Sequence, residues 1–418
     1  MSHMTRQARA GTCFDVPAAV LISLLVQTMI SLLAAGVPVL APAIAAERGW
    51  NATVIALYPT VVYTTAFLFN FQVPLLLARM GGMGLSLACI VLCAAGILVL
   101  LLPYATAAVL ASVAIGCATA AMNPASSQIL GPRTTARTAG LVMSIKQTGV
   151  PLGGVTAGAV IPILALHLGW RTAAMDLLMM GAALAIVLLP SVRWLNGGVV
   201  AAKPAVFRPL DPVKQLLGNA GMPTLLLASV TFNGMQLCLR SFFTVYLVTN
   251  QRLSLVTAGV AFSVSQAAGM IGQVGWAALS DRLLSVRSVM AIIGMLMTVA
   301  AFCTAAMTPR WPFGVVALVA AMYGVSAAGY LPVLLGEVAR RSPPGQVGAL
   351  TSGALLFPLG GSIFGPLAFG GVAAALGLPT AFVLAAASTF AGTLILAAPH
   401  QLFAMSAAAS DPAKSEQT

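Results

Sequence analysis

Long apolar segments, separated by short polar connections, account for most of the chain. Each segment has helical length, since about 20 residues at 1.5 Å per residue cross a hydrocarbon core of about 30 Å. Six segments precede a more polar stretch from Arg193 to Asn219, and six follow it. They cover approximately residues 17–44, 52–77, 84–102, 106–130, 139–166, 171–191, 222–248, 254–279, 287–307, 312–337, 346–374 and 378–397. The pattern predicts an all-α integral membrane protein with twelve transmembrane helices in two pseudo-symmetric six-helix bundles.

This pattern also predicts the domain organisation. We expect an N-terminal bundle at 17–192 and a C-terminal bundle at 222–398, joined by a linker at 193–221. Residues 1–16 and the polar tail at 399–418 flank the bundles.

Composition and charge agree with a membrane protein. Hydrophobic residues make up 60% of the chain and charged residues 7%, whereas a soluble domain carries about 25% charged residues. The net charge of +12 comes from basic residues scattered singly, so we expect a lipid bilayer and no nucleic acid as partner. Fourteen Lys and Arg residues fall on the side of the termini and linker and four on the other, which predicts that both termini are cytoplasmic. The cysteine spacing fits neither a disulfide framework nor a zinc site, and we expect no metal or cofactor.

A charged and glycine-rich stretch lies inside the fifth segment, from Arg137 to Gly158. It contains Lys146, and a charge in the membrane interior costs on the order of 3 kcal/mol or more. Function is one explanation, and a lysine stem that reaches back to the interface is the other. Pro151 predicts a bend, because it removes a backbone donor. Close helix packing is predicted by five small residues of this stretch: Gly140, Gly149, Gly153, Gly154 and Gly158.

Polar residues recur at helical spacing on several segments, which places each set on one helix face. Such stripes must face protein or water in a bilayer, so they either line a cavity or join helices by hydrogen bonds. The stripes include Gln27 on segment one, Asn123 on segment four, Asn233, Gln236 and Arg240 on segment seven, and Tyr323 and Tyr330 on segment ten. Lys146 and Arg240 are the cations placed well inside segments, whereas acids are scarce. The balance favours an anionic solute, which a guanidinium can hold in fork geometry.

The few acids have distinct predicted roles. Asp176 is the one that could be embedded and linked to a proton. Asp281 and Glu337 lie near cytoplasmic helix ends, where we expect pairing with arginines at 282, 340 or 341.

An internal repeat links the two halves and leads to a family resemblance. Val150–Gly154 (VPLGG) echoes Phe357–Gly361 (FPLGG), and Arg79 echoes Arg282. With twelve segments, two halves and a central linker, nearly the whole chain resembles the major facilitator superfamily. The family's loop signature, Gly-x-x-x-Asp-Arg-x-Gly-Arg-Arg, is reduced to PLLLARMGG after helix two and to AALSDRL after helix eight, which keeps Asp281 and Arg282. The helix-five glycines approach the family's antiporter signature, and SIKQTGVPLGG is similar to bacterial cyanate-permease-like members.

The resemblance implies a transporter in which helices one, four, seven and ten line a central cavity. We expect a secondary active transporter, and no enzyme, that moves a small anionic solute across the bacterial cytoplasmic membrane by alternating access, with proton coupling as one energy source. A drug or metabolite efflux antiporter is the alternative. We expect a multi-pass monomer with a small-molecule substrate. The predicted solute site comprises Lys146, Arg240, Gln236, Asn233, Gln27, Asn123, Tyr323 and Tyr330. The predicted packing and gating residues are Gly140, Gly149, Pro151, Gly153, Gly154, Gly158, Asp281 and Arg282.

Overall fold

The computed structural model describes residues 15–49, 52–135, 137–196, 210–253 and 255–397. Residues 1–14, residues 197–209 of the predicted linker and residues 398–418 therefore lie outside the described residues. Within these ranges the chain forms α-helices joined by short turns. The helices are α1 Asp15–Arg48, α2 Ala52–Asn70, α3 Val73–Leu100, α4 Ala105–Leu130, α5 Ala139–Gln147, α6 Gly149–Leu168, α7 Trp170–Leu188, α8 Ser191–Asn196, α9 Asp211–Gly218, α10 Met222–Thr249, α11 Leu255–Arg282, α12 Val286–Ala306, α13 Phe313–Ala327, α14 Tyr330–Arg341, α15 Val347–Leu376 and α16 Leu378–Ala397.

Ten helical stretches of the described chain are long and apolar enough to cross a membrane. They are formed by α1, α3, α4, α5 with α6, α7, α10, α12, α13 with α14, α15 and α16. The prediction of an all-α, multi-pass membrane protein is confirmed. The helices α2 and α11 occupy the positions of predicted spans two and eight but are not among the ten, so the count of twelve stays a prediction.

Two predicted spans are broken, and a proline explains each break. The helix α5 ends at Gln147 and α6 begins at Gly149. Pro151 has no N–H to donate to the carbonyl of Gln147, so the regular hydrogen-bond ladder is interrupted one turn before the proline. The same reasoning applies to α13 and α14, which are separated at Ala328 and Gly329, one turn before Pro332.

Two hydrophobic clusters form the core. The first draws on helices α1–α8, with Leu335 and Leu355 added from the other side, and the second on α9–α16. We call residues 15–196 the N-half and 210–397 the C-half. Equivalent helices pair in the two halves, since α1 packs on α6 and α10 packs on α15. The predicted domain boundaries remain a proposal that this division supports.

The helices alternate in direction, so each end of the bundle collects its own connections. We call the end that holds the α8–α9 connection the linker end, and the other the opposite end. The α2–α3, α4–α5, α11–α12 and α14–α15 connections also lie at the linker end.

Candidate functional site

A cavity of about 450 Å³ lies between the two halves. Its wall is formed by α1, α2, α4, α10, α11 and α15 and by the two broken spans, near Gln147 and Tyr330. Most of the wall is apolar, and the polar side chains on it are Ser31, Tyr58, Tyr63, Thr119, Asn123, Gln147, Asn233, Gln236, Arg240, Gln273, Tyr330 and Ser362. The structure thus brings together five members of the predicted solute site, namely Asn123, Asn233, Gln236, Arg240 and Tyr330.

Arg240 carries the charge of this cavity. Among the described lining residues it is the one with an ionised side chain at neutral pH. It is exposed to the cavity and makes no hydrogen bond or ion pair with any residue in the described part of the chain. It also lines a narrow cleft of about 20 Å³ together with Gln266 and Gln273. Its five N–H donors are therefore available to a solute.

Lys146 lies one layer behind the cavity wall, in the last turn of α5. Its side chain is fully buried, and Nζ donates to Asn123 O at 3.3 Å, Asn123 Oδ1 at 3.2 Å and Ser126 Oγ at 2.7 Å. The side chain thus turns toward α4, and does not reach back to the interface. The C-terminal end of α5 also favours a cation, because the helix dipole is negative there. The expectation that Lys146 and Arg240 face the solute together needs correction, since Asn123 stands between Lys146 and the cavity.

A chain of amides extends this cluster to α1. Gln27 is fully buried, and its Nε2 donates to Asn123 Oδ1 at 3.1 Å and to Gln147 Oε1 at 2.9 Å. Gln27 was predicted on the cavity wall, but the structure places it behind Asn123 and Gln147. Sequence reasoning missed Ser126, although Asn123 and Ser126 are three residues apart on one face of α4, which is the signal that could have found it.

The C-half contributes a second polar cluster. Asn233 Nδ2 donates to Pro358 O at 2.6 Å and to Ser362 Oγ at 2.5 Å, while Tyr330 Oη donates to Asn233 Oδ1 at 2.7 Å. These groups satisfy one another and hold α10, α14 and α15 together at the cavity. Tyr323 differs from the prediction, because it is fully buried and donates to Met235 O at 3.2 Å, away from the cavity wall.

The glycines of α5 and α6 have unequal surroundings. An added Cβ at Gly149 would lie 2.9 Å from Leu24 O, and one at Gly153 would meet Thr28 O and, at 2.7 Å, Ser31 Cβ. These two glycines let α6 pack closely on α1. Nothing lies within 4 Å of the Cβ positions of Gly154 and Gly158, and Gly154 lines the cavity. The predicted packing role therefore needs correction for Gly154 and Gly158.

At the linker end, Asp281 joins the two halves. Its carboxylate accepts hydrogen bonds from the backbone N–H of Leu141 at 2.7 Å and from Arg340 at 2.6 Å, and its side chain is 2% exposed. Asp281 thus caps the N-terminus of α5, where a negative charge is favourable. Gly140 permits this approach, because an added Cβ would meet the carboxylate.

The arginines around this contact take different roles. Arg340 and Arg341 also pair with Glu337, at 3.0 and 2.6 Å. Of the three arginines predicted as alternative partners, the structure thus pairs Arg340 and Arg341 with the acids, whereas Arg282 is exposed and takes no part in the cluster.

A neutral contact makes the equivalent connection on the other side. Gln128 of α4 accepts from the backbone N–H of Gly348 at 2.9 Å and donates to Gly345 O at 3.1 Å, at the N-terminus of α15. Nearby, Asn70 Nδ2 donates to Ser352 O at 2.6 Å. We call these contacts and that of Asp281 the linker-end latch.

At the opposite end, polar contacts such as those of Arg48 with Leu100 O and of Gln251 with Met307 O stay within one half. The contacts of the linker-end latch, by contrast, join the two halves. The structure is therefore closed at the linker end.

Several solved structures share this architecture. The Escherichia coli fucose:proton symporter FucP matches over 91% of this chain and 98% of its own, with a TM-score of 0.67 and 14% identity. The human organic anion transporter MFSD10 matches over 92% and 99%, with a TM-score of 0.68 and 16% identity. A bacterial homologue of the iron transporter ferroportin, in an outward-facing state, matches over 93% and 99%, with a TM-score of 0.69 and 16% identity.

Sequence comparison adds a relative and a family. The probable galactarate/D-glucarate transporter GudP of Escherichia coli is 28% identical over 204 residues, which cover 46% of this chain and 41% of that protein. The match thus spans less than half of the relative's length. The family model of the Major Facilitator Superfamily matches residues 21–352. The chain belongs to the Major Facilitator Superfamily, whose members are membrane transporters.

Proposed function

We propose that this protein moves a small organic anion of the sugar-acid class across the bacterial cytoplasmic membrane by alternating access. The observation that carries the proposal is Arg240, an unpaired guanidinium on a cavity wall whose described residues include no acid. A carboxylate bound there would offset the desolvation of the guanidinium and accept two parallel hydrogen bonds. The similarity to a probable galactarate/D-glucarate transporter supports the same class of solute.

The polar residues around Arg240 suit the remainder of such a solute. The hydroxyl groups of a sugar acid both donate and accept, and Gln236, Gln273 and Tyr63 line the same cavity. A mostly apolar wall with a few placed polar groups is typical of small-molecule sites. The volume of about 450 Å³ is sufficient for a six-carbon acid.

The linker end is the cytoplasmic end in this proposal, because most loop Lys and Arg residues lie there. The structure, closed at that end, is then the outward-facing state. We propose that an ion gradient, with the proton as first candidate, drives the cycle of a monomer.

An efflux antiporter for drugs is the second candidate, since the helix-five glycines approach the antiporter signature. Gly149 and Gly153 of that pattern serve the packing of α6 on α1, which any transporter of this fold can use. A cationic drug would also favour a carboxylate in the cavity, and none is present among the described lining residues. These observations favour the anion.

The test is uptake of D-glucarate and galactarate by purified protein in liposomes, with and without a pH gradient. Arg240→Gln removes the charged hydrogen bonds, worth roughly 1.5–3 kcal/mol each, and should raise KM at least tenfold. Arg240→Lys should recover only part of the loss, because lysine lacks the planar fork. Arg282→Gln, an exposed arginine outside the cavity, is the matched control. Normal uptake by Arg240→Gln, or transport of cations instead of anions, would contradict the proposal and favour the exporter.

A further inference from the structure

The shell around Lys146 suits a charged side chain. Asn123 O and Asn123 Oδ1 can only accept hydrogen bonds, and Ser126 Oγ uses its own hydrogen on Met122 O or Asn123 O, at 2.9 and 3.0 Å. Ser127 Oγ lies farther away, at 3.5 Å, and its hydrogen is directed at a methionine sulfur. The three nearer acceptors match the three hydrogens of an ammonium group, whereas a neutral amine would direct its lone pair at them. The shell therefore favours the positively charged form of Lys146.

No acid in the described part of the chain bonds to this charge. Of the helices that pack against α5, α11 and α14 carry Asp281 and Glu337, which are engaged by arginines at the linker end. The helix α1 carries Glu47, which pairs with Arg171 at the opposite end. An uncompensated buried charge is costly, so a negative group supplied by the solute would lower the free energy of the loaded state.

Asn123 connects this charge to the cavity. Its Oδ1 accepts from two donors, Lys146 Nζ and Gln27 Nε2, which fixes the orientation of the amide. Its Nδ2 makes no hydrogen bond to a described residue, and the side chain lines the cavity. Gln147 is arranged in the same way, because its Oε1 accepts from Gln27 and it also lines the cavity. The N-half therefore presents amide hydrogens to the cavity.

We propose that Asn123 is the solute-contacting residue of the N-half and that Lys146 is a positioning residue, which polarises the Asn123 amide without touching the solute. This inference rests on the proposed function and narrows it to a dianion. One carboxylate binds Arg240 in the C-half, and the other binds the amide hydrogens in front of Lys146. A dicarboxylate held in this way bridges the two halves that move in alternating access.

The first test is Asn123→Asp, read out with D-glucarate, which has two carboxylates, and D-gluconate, which has one. The introduced carboxylate pairs with Lys146, so the thermal stability of the purified protein should be kept or raised. The same carboxylate neutralises the positive charge of Lys146, which would otherwise favour binding of the second carboxylate of the solute. The KM of D-glucarate should rise at least tenfold, while that of D-gluconate, held at Arg240, changes less than threefold. Ser112→Ala, on α4 outside the cavity wall, where the hydroxyl donates to Ala108 O of the same helix, should change neither value.

The second test separates positioning from structure. Lys146→Met keeps the length of the side chain and removes the charge, and it should raise the KM of D-glucarate about as much as Asn123→Ala does. Because Lys146 acts through Asn123, the double variant should lie within about threefold of the worse single variant, well short of the product of the two effects.

Three outcomes would overturn the inference: an unchanged D-glucarate KM in Asn123→Asp, an equal loss for both solutes, or multiplicative effects in the double variant. If Arg240→Gln still abolishes anion uptake in those cases, the proposed function stands and only the role of Asn123 fails. If Arg240→Gln has no effect either, the proposed function fails as well.

Discussion

The two helix caps of the linker-end latch differ in chemistry, because one is charged and the other neutral. Asp281 accepts from Leu141 N across the interface between the halves and from Arg340 within the C-half, whereas Gln128 exchanges two neutral hydrogen bonds with Gly348 and Gly345 across the interface. The perturbations that compare them are Asp281→Asn and Gln128→Leu. Each keeps the approximate size of the side chain; the first neutralises the charged cap and the second removes the neutral one.

The expected magnitudes follow from the bonds that cross between the halves. The bond from Leu141 N to Asp281 is charge-assisted and worth roughly 1.5–3 kcal/mol, whereas the bond from Arg340 stays within the C-half in both states. Since asparagine can still accept from Leu141 N, in a neutral bond worth about 1 kcal/mol, we expect a loss of about 1–2 kcal/mol. Gln128 makes two neutral bonds across the interface, worth about 1 kcal/mol each. With tenfold per 1.4 kcal/mol, the equilibrium between the closed and open linker end should shift roughly five- to thirtyfold for Asp281→Asn and about thirtyfold for Gln128→Leu.

Distances between spin labels measure this equilibrium. Labels on cysteines placed at Thr135 and Leu283, which are exposed on opposite halves at the linker end, report its opening once the native cysteines are replaced. We expect a longer distance to become populated in both variants, and at least as much in Gln128→Leu. Arg282→Gln, next to Asp281 in sequence but outside the latch, is the control. An unchanged distance in both variants, or a much larger effect of Asp281→Asn, would refute the reasoning.

Three further predictions address packing, orientation and the opposite end. Gly153→Leu should lower thermal stability and abolish uptake, because α6 packs on α1 at this residue. Gly154→Leu should fold normally and raise KM, because its side chain fills part of the cavity. Equal unfolding temperatures of the two variants would contradict the predicted difference in packing. A cysteine at Lys203 should react with membrane-impermeant reagents only from the cytoplasm, and periplasmic labelling would reverse the proposed orientation. The hydrogen bond from Trp170 lowers the pKa of Glu47, so the contact between them should persist at neutral pH and break only below the usual Glu pKa of about 4.3. Tryptophan fluorescence of the protein, compared with that of Glu47→Gln, measures this contact as the pH is lowered. A fluorescence change near pH 6 would contradict the prediction.

The length and apolarity of the segments were sufficient to predict the membrane class, because both are local properties of the sequence. The family was predicted from a resemblance, through the two halves of six segments, the internal repeat and the loop motifs. The positions of the cavity residues followed from helical spacing, as for Asn233, Gln236 and Arg240 on α10. The bend at Pro151 also followed from local chemistry. These features need no knowledge of neighbouring helices.

The depth of a side chain could not be predicted in the same way. Lys146 belongs to a polar stretch of α5, but the acceptors that hold it belong to α4. Gly153 and Gly154 are adjacent in sequence, yet one contacts α1 and the other faces the cavity. Helical spacing gives relative positions around one axis, and it does not give the rotation of that axis in the bundle.

The latch shows how an internal repeat can mislead. Leu141 and Gly348 precede the two Pro-Leu-Gly-Gly segments by the same number of residues, so their helix termini are equivalent. The acid that caps Leu141 is Asp281, and the repeat places Ala78 where its counterpart would be. From the sequence alone, the alanine at this position predicts that one gating contact is lost. In the structure the vacant cap is filled by Gln128, which comes from a different helix and has no acidic counterpart in the C-half. The two halves are thus fastened by unequal bonds. One charged bond, from Leu141 N to Asp281, fastens the side of α5, whereas several neutral bonds, of Gln128 and of Asn70 with Ser352, fasten the side of α15.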